Sequence, residues 1–170
     1  MSILNIEIKA RCDDPHHIRN ILKDQNADFK GKDHQIDTYF DIPDGRLKLR
    51  QGSIEQNLIF YHRSDTKEPK TSDINLVPAD HPEALHELLN NAFGTKVVVD
   101  KQREIYFIDN VKFHIDDVKR LGHFVEIEAI DEDGSIGPEI LQRQCRQYME
   151  SFAIQDTQLV AQSYSDLMMG

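Results

Sequence analysis

Cysteine is scarce in this chain: Cys12 and Cys145 are the two among 170 residues. Two cysteines cannot frame a disulfide scaffold, and nothing beside either has the spacing of a zinc site. A chain this long buries about two thirds of its unfolded surface and needs no covalent staples, so a reducing, cytoplasmic setting is expected. Long apolar runs are also missing, and no stretch approaches the roughly 20 residues of a membrane span. The opening MSILNIEIKA has no basic segment ahead of an apolar one, so no secretory leader is expected. Positive charge is in deficit, with 20 Lys and Arg against 30 Asp and Glu and a net charge of -10. That balance argues against nucleic acid or an anionic membrane as partner, both of which reward a basic surface. A local cluster of cations can still outweigh the global sign and hold a small anion. There is no glycine-rich phosphate loop, so a bound phosphate would have to be gripped by side chains rather than by a backbone nest. Spacing supports no Ser-His-Asp or Cys-His arrangement.

What is present is alternation. A composition of 39% hydrophobic and 29% charged residues suits a soluble globular protein, and the length suits one domain over residues 1–170. In residues 4–11, Leu4, Ile6, Ile8 and Ala10 share one face while Asn5, Glu7, Lys9 and Arg11 share the other, the period of a half-buried strand. Asp13, Asp14 and Pro15 then supply a helix start, with a helix expected to about residue 26. Strands are expected over 35–41, 46–50 and 57–63, with a weaker one at 73–77; Pro43-Asp44-Gly45 reverses the chain between the first two. The polar stretch 64–72 predicts a mobile loop, and 83–93 a helix stopped by Gly94. Strands over 96–108, 111–118 and 124–130 follow, joined at Asp109-Asn110 and Leu121-Gly122, then helices over 138–152 and 159–168. About eight strands with inserted helices predict an antiparallel α+β sheet that can close into a barrel.

The charges fall in register on these strands. Glu7 and Lys9 share a face, as do Lys48 and Arg50, Lys101 and Arg103, and Glu126 and Glu128; Lys112, His114 and Asp116 share another, and Arg63 ends its strand. If those faces converge, cations would fork onto phosphate oxygens while carboxylates hold a hard divalent ion. An ordinary solvated sheet face would carry the same alternation, because period two does not say which face points inward.

The segments NIEIK, QIDTYF with DGRLKLR, LIFYHR, KQR and IDDVKRLGHFVEIE, in that order, resemble the CYTH superfamily, the triphosphate tunnel metalloenzymes. The likeness runs from residue 3 to about 130, and SYSDL at 163–167 extends it; the LGHFVEIE and SYSDL segments are most similar to the class IV adenylyl cyclase branch. The resemblance implies an eight-stranded antiparallel β-barrel with flanking helices, its charged faces turned inward. It implies Lys9, Arg50, Arg63, Lys101 and Arg103 as ligands of a nucleoside triphosphate or other triphosphate, with Lys48 one pleat from Arg50. Glu7, Glu126 and Glu128 would bind Mg²⁺ or Mn²⁺, with Asp116 on the same wall. The implied reaction is conversion of ATP to cyclic AMP and pyrophosphate. Hydrolysis by a thiamine triphosphatase or inorganic tripolyphosphatase is the alternative, and a non-catalytic binding module a third. Oligomeric state is left open, a homodimer included. The family signature Glu-x-Glu-x-Lys begins here with Asn5, whose amide brings no charge to a metal site.

Of the remaining polar residues, His16 and His17 adjoin at a helix start and are expected at the surface. His62 and His114 are expected as structural histidines, Tyr39 and Tyr61 as barrel packing, and Lys67 and Lys70 as solvated loop lysines.

Overall fold

The alternation in the sequence becomes a closed sheet whose polar faces point inward. The computed structural model describes residues 2–63 and 65–170; Met1, in the opening segment, and Ser64, in the expected loop, lie outside the described residues. The strands are β1 (Ser2–Arg11), β2 (Asp28–Phe40), β3 (Arg46–Gln51), β4 (Asn57–Arg63), β5 (Lys70–Pro78), β6 (Thr95–Ile108), β7 (Val111–Val118) and β8 (Gly122–Asp131). The helices are α1 (Pro15–Asp24), α2 (Pro82–Phe93), α3 (Pro138–Ser151) and α4 (Tyr164–Met169). The sheet closes in the order β1-β5-β4-β3-β2-β6-β7-β8, with antiparallel neighbours throughout, so each described strand is paired on both sides over part of its length.

Closure puts the apolar core outside the barrel. Ile6, Ile8 and Ala10 of β1, Phe113 and Ile115 of β7, and Val125 and Ile127 of β8 face outward. They are covered by Ile18 and Leu22 of α1 and by Leu141 and Cys145 of α3. Phe40 and Leu49 face outward on the other side, beneath Ala79 and Leu89. A third cluster caps one end: Tyr39, Val99, Val118 and Phe124 meet Tyr164, Leu167 and Met168. The helices thus supply the water-excluding layer, and the sheet's other face is free to carry charge. No described helix is long and apolar enough to cross a membrane.

Local chemistry explains most boundaries. The Asp14 side chain accepts from the His17 N–H to start α1, with Pro15 in the first turn, and α1 ends slightly early at Asp24. Three segments depart from the sequence expectation. Strand β2 starts at Asp28 rather than 35, because pairing with β6 carries residues 28–34 through a register shift at Phe29/Gly31 despite their broken alternation. Strand β5 starts at Lys70, inside the expected loop. Register with β1 sets Lys70 opposite Glu7, so Lys70 is buried rather than solvated, whereas Lys67 is exposed as expected. The last helix begins at Tyr164 rather than 159. Residues 159–163 run extended across the barrel end, with Leu159 bridged to Ala10 and the Val160 N–H donating to Lys9 O at 2.9 Å.

The Phe113 ring, fully buried, lies 4.8 Å from Tyr148 and 5.6 Å from Phe152, which fastens α3 to the barrel. Phe113→Ala is expected to cost about 3–5 kcal/mol of unfolding free energy. Ile140→Ala, at a side chain 44% exposed on the same helix, should stay within about 0.5 kcal/mol. Urea unfolding of both variants measures the difference, and equal midpoints would mean that α3 is not part of the barrel's cooperative unit.

A charged tunnel as candidate active site

Each inward face contributes in step. The lumen encloses about 120 Å³ and is lined by Glu7 and Lys9 of β1, Lys48 and Arg50 of β3, Arg63 of β4, Lys101 and Arg103 of β6, and Glu126 and Glu128 of β8. The structure therefore brings eight of the residues singled out in the sequence into one cavity: Glu7, Lys9, Arg50, Arg63, Lys101, Arg103, Glu126 and Glu128. Asp116 is the exception. It is wholly buried on the inward face of β7 without lining the cavity, both oxygens taken by Arg103 at 2.8 and 2.7 Å, with the Tyr164 hydroxyl donating at 2.7 Å. Asp116 thus holds Arg103 in place, and its carboxylate lies close to the lumen residues His114 and Glu126.

The cations are matched with carboxylates in layers. Asp37 of β2 accepts from Arg50 at 2.9 and 2.8 Å and from Lys101 at 2.7 Å, with Lys48 3.6 Å away. Arg103 also donates to Glu126 at 2.6 Å, and Arg63 pairs with Glu7. Such pairs are needed because an uncompensated buried charge costs several kcal/mol. Burial pushes Lys101 down to about 7, since Asp37 is shared with Arg50 and Lys48 and cannot offset the loss of water. Lys9 falls to about 7 for the same first reason, and Glu126 only partly opposes it.

Two carboxylates on one strand titrate in opposite directions. Burial would raise Glu126, but Arg103, His114 and Lys9 hold it well below the usual range. Burial raises Glu128; Lys112 pulls the other way, while Glu7 and Glu126 add to the rise. The register makes the cause plain, because Glu7 stands directly opposite Glu128 across the β1–β8 pair. Asn5 lies below them, its amide donating to Glu128 Oε1 while its own Oδ1 is buried without a partner among the described residues.

His114, expected as a structural histidine, lies in the lumen with Nδ1 3.1 Å from Glu126, and burial lowers it to about 4. With Asp116 and Glu126 it forms a group whose potential ligand atoms all lie within 4.8 Å of one another. His16 and His17 are exposed, and His62 faces outward beside Asp44. Tyr39 and Tyr61 line the lumen as expected. Sequence reasoning missed Asp37, Glu55 and Tyr164 as parts of the site, placed Lys112 only on a face shared with His114 and Asp116, and read Lys70 as a loop lysine. Asp37 and Lys112 carried a usable signal, since each alternates with inward residues of its strand. Glu55 in a turn carried none, and Tyr164 was marked only by its place in the SYSDL segment.

The CYTH domain profile matches residues 4–164 of this chain. A Methanocaldococcus jannaschii protein provisionally named an adenylate cyclase is 25% identical over 174 residues, spanning 97% of this chain and 98% of that protein. Among solved structures, a Pyrococcus horikoshii protein superposes with a TM-score of 0.83 at 24% identity, covering 96% of this chain and 98% of that one. A Hippeastrum protein, described as a provisionally assigned adenylyl cyclase that reveals a dominant triphosphatase activity, superposes with a TM-score of 0.64 at 15% identity, covering 99% and 94%.

Asp37 is the common counter-ion of three lumen cations, so its charge should matter more than its shape. Asp37→Asn is expected to cost about 3–5 kcal/mol, the usual penalty for leaving a buried charge without its partner. Asp44→Asn, at a side chain 87% exposed, should change stability by less than about 1 kcal/mol. Equal urea midpoints for the two variants would show that the Asp37 hub is dispensable.

Proposed function

The chain belongs to the CYTH domain family, and on that premise we propose that it is a metal-dependent enzyme acting on a triphosphate, converting ATP to cyclic AMP and pyrophosphate. The observation that carries the proposal is the lumen itself. Lys9, Lys48, Arg50, Arg63, Lys101, Arg103 and Lys112 converge on one narrow cavity in a chain whose net charge is negative. A buried surplus of cations fits a compact polyanion, since each arginine fork can donate to two phosphate oxygens. The expected grip is that of Lys9, Arg50, Arg63, Lys101 and Arg103.

The lumen also fits a hard divalent ion. The opposed Glu7 and Glu128 repel one another, and the buried, unpartnered Asn5 Oδ1 beside them is a further oxygen donor. Glu7, Glu126 and Glu128 would hold Mg²⁺ or Mn²⁺, with Asp116, which also orients Arg103, on the same wall. When bound, the ion supplies Lewis-acid polarisation of phosphate oxygens and offsets the carboxylates. In the proposed reaction the ribose 3′-oxygen attacks the α-phosphorus, the bond from that phosphorus to the bridging oxygen breaks with its electron pair leaving on pyrophosphate, and the 3′-proton passes to solvent water. Arg63 and Arg103 neutralise charge as pyrophosphate leaves. Hydrolysis of thiamine triphosphate or tripolyphosphate at the terminal phosphorus is the second reading, favoured by the activity named for the Hippeastrum protein of the same fold. Two buried, unpaired cysteines suit a reducing cytoplasm.

Incubation with ATP, thiamine triphosphate and tripolyphosphate, each with Mg²⁺ and with Mn²⁺, tests the reading; cyclic AMP is the expected product. Tight binding without turnover of any of the three would make the protein a binding module instead. Arg103→Ala is expected to weaken transition-state stabilisation by about 2–5 kcal/mol, and Glu126→Gln with Glu128→Gln to abolish metal-dependent turnover in a folded protein. Persistence of metal-dependent turnover in the double variant would remove these carboxylates from the mechanism.

The lysines give an independent readout. Lys101 sits near 7 in the free protein, so it is partly neutral at pH 7.5, and a neighbouring polyanion favours its charged form. Triphosphate binding should therefore take up protons at pH 7.5, and affinity should fall as pH rises through about 7–8. Binding enthalpies in buffers of different ionisation heat measure the uptake; zero uptake would mean that Lys101 does not meet the ligand.

A further inference from the structure

The lumen has two unlike ends. One is capped by Tyr164 and α4 over Tyr39, Val99, Val118 and Phe124. The strap before α4 is pinned there, with Lys70 Nζ donating to Ala161 O at 2.6 Å and Lys9 Nζ to Gln162 O at 3.1 Å. The other end, where β5 finishes and β7 begins, meets solvent: Leu76, a lumen residue, is 42% exposed, and Ile54 beside the opening 45%.

Glu55 stands at this open end, and the chain fixes it there. Asp33, wholly buried, accepts from the backbone N–H of Ser53 at 2.7 Å, Ile54 at 3.1 Å and Glu55 at 2.9 Å, so three successive amides of the β3–β4 turn converge on one carboxylate. Gln35 ties the two acids together, its Nε2 3.0 Å from Asp33 and 3.0 Å from Glu55. Gly52 is required for this turn, because a Cβ there would lie 2.6 Å from Asp33 Oδ2 and 2.7 Å from Glu55 O. From this mount Glu55 pairs with Lys112 of β7 and lies 3.5 Å from Arg50. Strands β2 and β6 separate β3 from β7 in the barrel order, so the Glu55–Lys112 pair is a strut across the opening and not a contact between neighbours. Burial would raise the Glu55 carboxyl, but Lys112 and Arg50 outweigh it and hold the group well below the usual range, hence charged.

We propose that Glu55 makes the tunnel selective for triphosphates that carry an organic group, and sets it against inorganic tripolyphosphate. The inference rests on the reading that the lumen holds a triphosphate. Such a ligand lies with one end among the cations near the cap and the other at the open mouth. Inorganic tripolyphosphate has two charged ends, so its second terminal phosphate faces a fixed carboxylate, and like charges brought together at a site reject the ligand. An organic triphosphate puts a sugar or ring at that place. Its hydroxyl or amino groups can donate to Glu55 once Lys112 turns to the α-phosphate. Ile74 and Leu76 offer apolar surface in the same lumen.

The test is calorimetric titration with ATP and with inorganic tripolyphosphate in EDTA, both ligands being recovered intact afterwards. The native protein is expected to bind ATP more tightly, although tripolyphosphate carries more charge. Glu55→Gln keeps the acceptor for Gln35 and removes only the charge; it should narrow the ratio of the two dissociation constants by about tenfold, chiefly through tighter tripolyphosphate binding. Glu55→Ala should move the ratio in the same direction. Binding of both ligands with a ratio unchanged in both variants, or a native preference for tripolyphosphate, overturns the inference alone. Failure of both ligands to bind the native protein overturns the triphosphate reading and the inference with it.

Discussion

The whole structure depends on pairing charge inside a closed sheet. A barrel of eight strands has one interior, and here it is filled with guanidinium, ammonium and carboxylate groups rather than with methyl groups. Two aspartates set that interior. Asp37 gathers Arg50, Lys101 and Lys48, and Asp116 clasps Arg103 under the Tyr164 hydroxyl. Neither lines the cavity, yet both decide where the ligand-facing cations stand. Because such pairs do little more than offset their own dehydration, net stability has to come from the apolar layer outside, where α1, α2 and α3 cover the outward faces. Site and core are therefore separated by one sheet, and single strands serve both. In β8, Glu126 faces the lumen while Val125 and Ile127 face α3.

That division explains which parts were legible in the sequence. Alternation gave the faces of β1, β3, β4, β6, β7 and β8, and so the sets Glu7 with Lys9, Lys101 with Arg103, and Glu126 with Glu128. It could not give the inward direction, because a solvated sheet face alternates in the same way; resemblance supplied that step and the closed register bears it out. Residues 28–34 were unreadable because Gly31 and adjoining charges break the period, although Asp33 in that stretch is among the most buried groups. Lys70 looked like a loop lysine because its neighbours are polar, and only pairing with β1 takes it out of water. Glu55 and Tyr164 owe their positions to a turn and to a strap, which leave no periodic trace.

The contrast between Glu126 and Glu128 shows how little sequence distance says about environment. They share a face and a strand, yet one looks toward Arg103 and the other toward Glu7. The interior is therefore graded around its circumference, cation-rich along β3, β6 and β4 and acid-rich where β1 meets β8. A ligand that is anionic along its length and accompanied by a cation suits such a gradient, whereas a neutral one would leave both sides uncompensated.

The strap of residues 159–163 and the helix after it also bear on how the protein comes into being. Every strand precedes them in the order of synthesis, so the barrel can close on the ribosome before its cap exists. Until Tyr164 arrives, Asp116 lacks the hydroxyl donor, and Lys9 and Lys70 lack the carbonyls of Gln162 and Ala161. The tunnel is thus open at both ends until this segment packs, and becomes a one-ended site only then. Assembly of the site therefore waits on a segment that follows every strand of the fold.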